Sequence, residues 1–407
     1  MRRLIFLTAL LTAACSSSGP TAPPAPLTGL PRALTTAEGQ IRTRSNAFAF
    51  ELFRRTAAAR DSNSFISPLS VSMALGMTMN GAANATLDSM RSALGFGGMP
   101  LTDINAGYRG LIDLLTGLDA STEMRIANSI WFRKGMIANP TFVTTVDGAF
   151  DANARALDFT LATAPDSINR WASAATAGRI PRVIETISGD QVMFLLNAIY
   201  FKGRWRQQFD RAETRDAAFA AAFGGAQTVP LMSRQMTVRH RFQASYSAVD
   251  LGYGNDAFAM TLLLPAPGRD VHDLVDSLSS GLWAEITGGL DSSRILVAIP
   301  RFTLEYERQL KDDLTAMGMG IAFEDGIADF RNLFLPTLPG PFIEFVKHQT
   351  FVQVNEEGTE AAAVTSVGVG VTSMPPSFIA DRPFVLVIRE RFSGTILFMG
   401  KILRVPE

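Results

Sequence analysis

Between Glu356 and Ser366 the chain reads Glu-Glu-Gly-Thr-Glu-Ala-Ala-Ala-Val-Thr-Ser, three consecutive alanines followed by β-branched residues. A Gly/Pro/Ser-bearing stretch runs on to Pro376 before Arg382-Pro383-Phe384 opens an apolar run. The segment has strand propensity, yet it sits in what reads as an irregular connection. A strand-preferring sequence held in a loop has two states open to it, and the fold must accommodate both. Alternation sharpens the point, because a strand sends successive side chains to opposite faces. Thr359, Ala361, Ala363, Thr365, Val367, Val369 and Val371 form one set without a charge. Glu360, Ala362, Val364, Ser366, Gly368, Gly370 and Thr372 form the other, which holds the glutamate, the serine and both glycines. One face suits an interior and the other a solvated or helix-covered surface.

The rest of the chain supplies the body for such a segment. Of 407 residues, 47% are hydrophobic and 18% charged, a globular balance rather than a disordered or membrane-embedded one. From about Ala37 to Val405 there is no second linker and no internal repeat, which favours one unusually large domain. The net charge of −1 gives no electrostatic footprint for nucleic acid. With one cysteine no internal disulfide can form, so the domain stands on its core, to which four Trp, five Tyr and 28 Phe contribute.

That cysteine, Cys15, ends a distinctive N-terminus. Arg2-Arg3 precedes the apolar run Leu4 to Leu11 and then Thr12-Ala13-Ala14-Cys15. A charged region, an apolar region and small residues make a secretory signal, too short for a spanning helix. Small residues before a lone cysteine resemble a bacterial lipoprotein cleavage box. Residues 1–14 are thus expected as a lipoprotein signal peptide, with Cys15 as the lipidated mature N-terminus. Residues 15–40, rich in Ser, Thr, Pro, Ala and Gly as far as about Thr36, are expected as a flexible tether, and the folded domain spans 41–407. The protein is then expected in the bacterial cell envelope, anchored in the outer membrane and facing periplasm or exterior, Ser16 standing where an acidic retention residue would follow the cysteine.

Within the domain, residues 41–58 place Ala47, Phe50, Phe53 and Ala57 at helical spacing, and Ser67-Pro68 suits an N-cap followed by the first helical residue. Helices are also expected over 102–118 and 166–177. Strands are expected at Met124–Phe132, Val192–Phe201, Phe258–Leu264, Arg294–Thr303, Ile343–Val354 and Phe384–Phe398. Helices gather early and strands late without regular alternation, which favours α+β.

Enzyme motifs are missing. The three histidines, His240, His272 and His348, have no metal-ligand spacing and there is no cysteine cluster. Gly318-Met319-Gly320 and Gly368-Val369-Gly370 lack the third glycine of a dinucleotide fingerprint, and no phosphate loop or Gly-x-Ser-x-Gly elbow occurs. No metal, cofactor or catalytic residue is expected.

Six separated motifs, in order, resemble the serpin family. They are Phe65-Ile66-Ser67-Pro68-Leu69-Ser70; Ile168-Asn169-Arg170-Trp171 through Thr176 to Ile180; Leu196-Asn197-Ala198-Ile199-Tyr200-Phe201-Lys202-Gly203-Arg204-Trp205; Val297 to Phe302; the 356–366 segment; and Asp381 to Phe384 with Leu397 to Lys401. The resemblance covers roughly residues 41–404. It implies a single domain with three β-sheets, about nine helices and an exposed reactive-centre loop. It implies a hinge formed by Glu356, Glu357, Gly358, Thr359, Glu360, Ala361, Ala362 and Ala363. It also implies a shutter of Ser67, Ser70, Asn197 and His348 beneath the opening point of the main sheet, and a breach at Trp205 where insertion begins.

The function so implied is irreversible suicide inhibition of a serine protease, which attacks the loop, is held as a covalent acyl complex and is distorted as the loop inserts. Inserting some dozen residues would add ladder hydrogen bonds worth on the order of 10–20 kcal/mol before entropy. Counting along the loop puts the reactive bond between Thr372 and Ser373, with Val371 or Met374 as neighbouring choices. The small and β-branched residues before it, and the absence of Lys or Arg between Gly358 and Ala380, point to an elastase-like or subtilisin-like target. Arg109 is the single basic residue of 101–118, so no heparin-type face is expected there. The alternative is a noninhibitory serpin acting as a binding or chaperone module; its hinge would more often carry bulky, charged or proline residues. A monomer is expected.

Overall fold

The computed structural model describes residues 25–189, 191–337, 340–359 and 376–406. Among them nine α-helices occur: α1 Thr36–Thr56, α2 Pro68–Met79, α3 Asn84–Ala93, α4 Leu101–Gly117, α5 Pro140–Phe150, α6 Ala164–Ala175, α7 Val271–Ser277, α8 Ser280–Gly288 and the short α9 Lys311–Leu314. The strands in chain order are β1 Ser64–Ile66, β2 Glu123–Arg133, β3 Ala152–Leu157, β4 Met193–Arg204, β5 Arg215–Phe219, β6 Gln227–Phe242, β7 Tyr246–Gly252 and β8 Phe258–Pro265. They continue as β9 Asp291–Pro300, β10 Phe302–Gln309, β11 Lys347–Val354, β12 Gly358–Thr359, β13 Ser377–Ile379, β14 Phe384–Glu390 and β15 Ile396–Ile402.

These strands make three sheets in a single α+β domain. A nine-stranded sheet runs β1-β15-β14-β8-β7-β6-β9-β13, with β5 on β6; a four-stranded sheet runs β12-β4-β2-β3; β10 and β11 pair by themselves. Strands β8, β14 and β15 are buried at every position, which is why their sequences are nearly unbroken apolar runs. Phe65 of β1 stacks on Phe398 of the neighbouring β15 with ring centroids 5.4 Å apart.

Several boundaries differ from the sequence reading for identifiable reasons. Helix α1 begins at Thr36, inside the stretch expected as tether, because Thr35 and Glu38 form a capping box. Arg32 also pairs with Glu38, and the Leu27 N–H donates to the Asn255 carbonyl at 2.6 Å, so the chain lies on the body from Leu27 onward. The run Arg294–Thr303 is two strands in two sheets. It breaks at Arg301, whose N–H donates to Pro230 O at 2.9 Å. The run Phe384–Phe398 is a hairpin, turned where the Glu390 carboxylate accepts the Phe392 and Ser393 N–H groups at 2.6 Å each. Strand β11 starts at Lys347 rather than Ile343.

Candidate functional site

The site is a gap between two strands that do not pair. β4 is bonded to β2 along its length and β11 to β10 along its own, and among the described residues no ladder joins β4 to β11. What bridges them is the N-terminus of α2. Ser67 has extended backbone and accepts the Ser70 N–H at 3.4 Å as the N-cap, while Pro68 begins the helix. The Ser67 N–H donates to His348 Nε2 of β11 at 3.0 Å, and its hydroxyl donates to the Leu397 carbonyl at 2.8 Å. One turn on, the Ser70 hydroxyl donates to Asn197 Oδ1 of β4. Asn197 Nδ2 in turn donates to Asn128 Oδ1 of β2 at 2.7 Å, and Asn128 Nδ2 to the Phe150 carbonyl at 2.6 Å. Ser67, Ser70, Asn197 and His348 therefore come together as one polar cluster, but they connect through the helix and not directly across the gap.

His348 is buried, and desolvation holds its imidazole down to about 4, so it is neutral near neutral pH. Its bond to Ser67 agrees, because Nε2 accepts a backbone N–H and so carries no proton. Around this cluster lies a cavity of about 340 Å³ bordered by β4, β11 and α2, with Trp171 of α6 among its walls.

At the other end of the gap the chain leaves β11 and turns back against β4. Asn355 Oδ1 accepts the N–H groups of Glu357 and Gly358 at 3.1 and 3.2 Å, closing the turn. β12 then pairs antiparallel with β4, Gly358 opposite Arg204 and Thr359 opposite Gly203. Gly358 has φ +151, and a Cβ there would lie 2.1 Å from the Gly203 carbonyl oxygen, so only glycine fits. Thr359 points inward, with its hydroxyl 2.9 Å from the buried Tyr253 hydroxyl.

Trp205 ties this corner together. Its Nε1–H donates to the Asn355 carbonyl and its backbone N–H to the Glu357 carbonyl, both at 2.8 Å, and its ring stacks on Tyr253 at 4.5 Å. Glu356 and Glu357, expected from the sequence in an exposed hinge, are buried. Glu356 Oε1 accepts Thr214 Oγ1 at 2.9 Å and lies 3.4 Å from Arg301; Glu357 Oε1 lies 3.0 Å from Arg211. Glu357 Oε2 is buried without a partner among the described residues.

Glu360, Ala361, Ala362, Ala363, Thr372, Ser373 and Cys15 lie outside the described residues. Sequence reasoning missed Asn128, Tyr253 and Asn355, which carry no motif and acquire their roles only from what faces them. Among the described residues no group of three or more His, Cys, Asp or Glu is placed to hold a metal ion, and no helix is long and apolar enough to cross a membrane.

Comparison with known proteins agrees with this architecture. The family model described as Serpin (serine protease inhibitor) matches residues 43–405. Intracellular coagulation inhibitor 1 of Tachypleus tridentatus is 32% identical over 380 residues, covering 89% of this chain and 88% of that protein. The native state of tengpin, a thermophilic serpin, superposes with a TM-score of 0.84 at 26% identity, covering 93% of this chain and 97% of tengpin. Thyroxine-binding globulin in complex with thyroxine gives a TM-score of 0.82 at 27% identity, covering 90% of this chain and all of that one.

Proposed function

The chain belongs to the serpin family, whose members are mostly protease inhibitors rather than catalysts, and on that premise we propose that it is an irreversible suicide inhibitor of serine proteases. The observation that carries this reading is the unpaired β4–β11 gap with the hinge already started into its upper end. Continuing the register of Gly358 and Thr359 brings residues 360–369 beside 202–193 of β4, the full remaining length of that strand. Thr359 sets the phase, so Ala361, Ala363, Thr365, Val367 and Val369 turn the same way, toward the interior. None of these is large or charged, so the closing gap need not bury an unpaired charge.

In this mechanism the target's serine hydroxyl attacks the Thr372 carbonyl carbon. The bond to Ser373 breaks, the Ser373 amine leaves with a proton, and an ester joins the protease to Thr372. Insertion then carries the acylated protease along the sheet before water can complete hydrolysis. The uncharged approach to the bond favours an elastase-like or subtilisin-like target. Val371 and Met374 are the neighbouring choices for the bait residue. The signal-like N-terminus supports a further reading: residues 1–14 are removed, Cys15 carries lipid, and a monomer faces periplasm or exterior from the outer membrane of a bacterial envelope.

The test is to mix the protein with an elastase and with a subtilisin and boil the products in detergent. A covalent band at the summed mass is expected. Clean loop cleavage without that band, by every serine protease tried, would instead support a noninhibitory binding or chaperone module.

A further inference from the structure

Beside Trp205 lies a second cavity of about 420 Å³. Strands β6, β7 and β9 form its floor. Arg239 of β6 stands opposite Asp250 of β7 and Ser292 of β9 in the two ladders, so these three side chains share a face. The cavity is also bordered by Trp205, Phe209 and Leu290, and by Arg206 and Arg391.

Its two carboxylates are already taken. Asp250 is buried and already lies 3.1 Å from both Arg389 and Arg391, and it accepts the Thr261 hydroxyl at 2.6 Å. Asp256 lies 2.8 Å from Arg391 and 3.3 Å from Arg206. Both carboxylates are thus already engaged by Arg389 and Arg391 before Arg239 is considered. Arg239 is half-buried and has neither hydrogen bond nor ion pair among the described residues. Desolvation lowers its proton affinity, and repulsion from Arg391 and Arg389 works the same way against Asp250 and Asp256. A guanidinium taken partly out of water and left unpaired is unfavourable, and a bidentate oxyanion is what would satisfy it.

We propose that this cavity is a binding site for a small organic anion, whose carboxylate, sulfonate or phosphate group pairs with Arg239 while its apolar body lies against Trp205, Phe209 and Leu290. The volume falls within the range of about 300–1,000 Å³ typical of small-molecule sites and exceeds what a bare inorganic ion needs. Trp205 and Phe209 also donate backbone hydrogen bonds to the Glu357 and Glu356 carbonyls, but anion binding is read without a protease, so its failure is distinguishable from failure of the inhibitor reading.

Isothermal titration with 2-naphthalenesulfonate tests it, with inorganic sulfate and the neutral naphthalene-2-methanol as comparison probes. Saturable binding of the sulfonate is expected, at least tenfold tighter than either comparison probe. R239Q should weaken it at least tenfold, and R239K, which keeps the charge but not the bidentate fork, should weaken it less than R239Q does. Melting curves of both variants establish that they fold. No binding to wild type, equal binding of the neutral analogue or of sulfate, or unchanged affinity in R239Q would overturn the proposal.

Discussion

Thr359 and His348 show at the residue scale how the two ends of the gap are set. Thr359 is enclosed between Tyr253 and β4, so Thr359→Arg would force a charge into an apolar corner at a cost of several kcal/mol. Insertion should slow while attack on the loop continues, and the acyl intermediate should hydrolyse. The stoichiometry of inhibition is expected to rise well above one. One-to-one inhibition by this variant would remove strand insertion as the mechanism. His348 makes the fold sensitive to acid. Its folded-state value of about 4 lies below its ordinary value near 6.5, so as pH falls through 6.5 the unfolded chain takes up a proton that the folded chain refuses. The stability carried by the neutral ring is fully present above 6.5 and is lost between 6.5 and 4, amounting to about 3 kcal/mol. Urea unfolding at pH 7, 5.5 and 4 should show this slope in wild type and a shallower one in His348→Asn. Identical slopes would assign the acid sensitivity elsewhere.

At the element scale, the start of α2 is the brace between β4 and β11. Its two serines each hold one strand, Ser67 through His348 and Ser70 through Asn197. Ser70→Ala removes the tie to β4 and should cost about 1 kcal/mol. The more telling readout is kinetic. A synthetic peptide of residues 359–372 should anneal into Ser70→Ala faster than into wild type, because β4 is freer to part from the helix. Equal rates would mean that the brace does not govern opening. The resemblance pointed to Ser67, Ser70, Asn197 and His348, which lie in one hydrogen-bonded cluster, yet Asn128, which extends the chain of bonds from β4 to β2, carries no signal of its own. An asparagine within Ala127-Asn128-Ser129 looks like any strand-interior polar residue until Asn197 and Phe150 are seen on either side of it.

For the whole molecule, the proposed reading takes the gap between β4 and β11, unpaired among the described residues, as the place the loop fills after cleavage. Cutting the loop in the Thr372 region should let it enter and raise the melting temperature by on the order of 10 °C, given about 0.5–1.5 kcal/mol for each added ladder bond. An unchanged melting temperature after cleavage would show that the gap is not filled. The membrane reading is tested separately: Cys15→Ser should release the mature protein from the membrane fraction or leave it unprocessed. Native protein found wholly soluble with a free Cys15 thiol would discard the anchor.

What the sequence by itself determined was whatever depends on local pattern. The apolar runs of β8 and β14, the Ser67-Pro68 start of α2 and the α+β class followed from periodicity and capping, and six motifs in order sufficed for the family. The tertiary structure decided everything that depends on which strand stops pairing with which. The break at Arg301, the burial of Glu356 and Glu357 beside Thr214 and Arg211, and the role of Tyr253 beneath Thr359 are contacts between residues far apart in the chain. The setting of Arg239 has the same origin, since Asp250, Asp256, Arg389 and Arg391 come together there from β7, the turn after it and the end of β14. Local patterns say which face of an element is apolar, but a gap, a brace or an unpaired charge exists only once the elements meet.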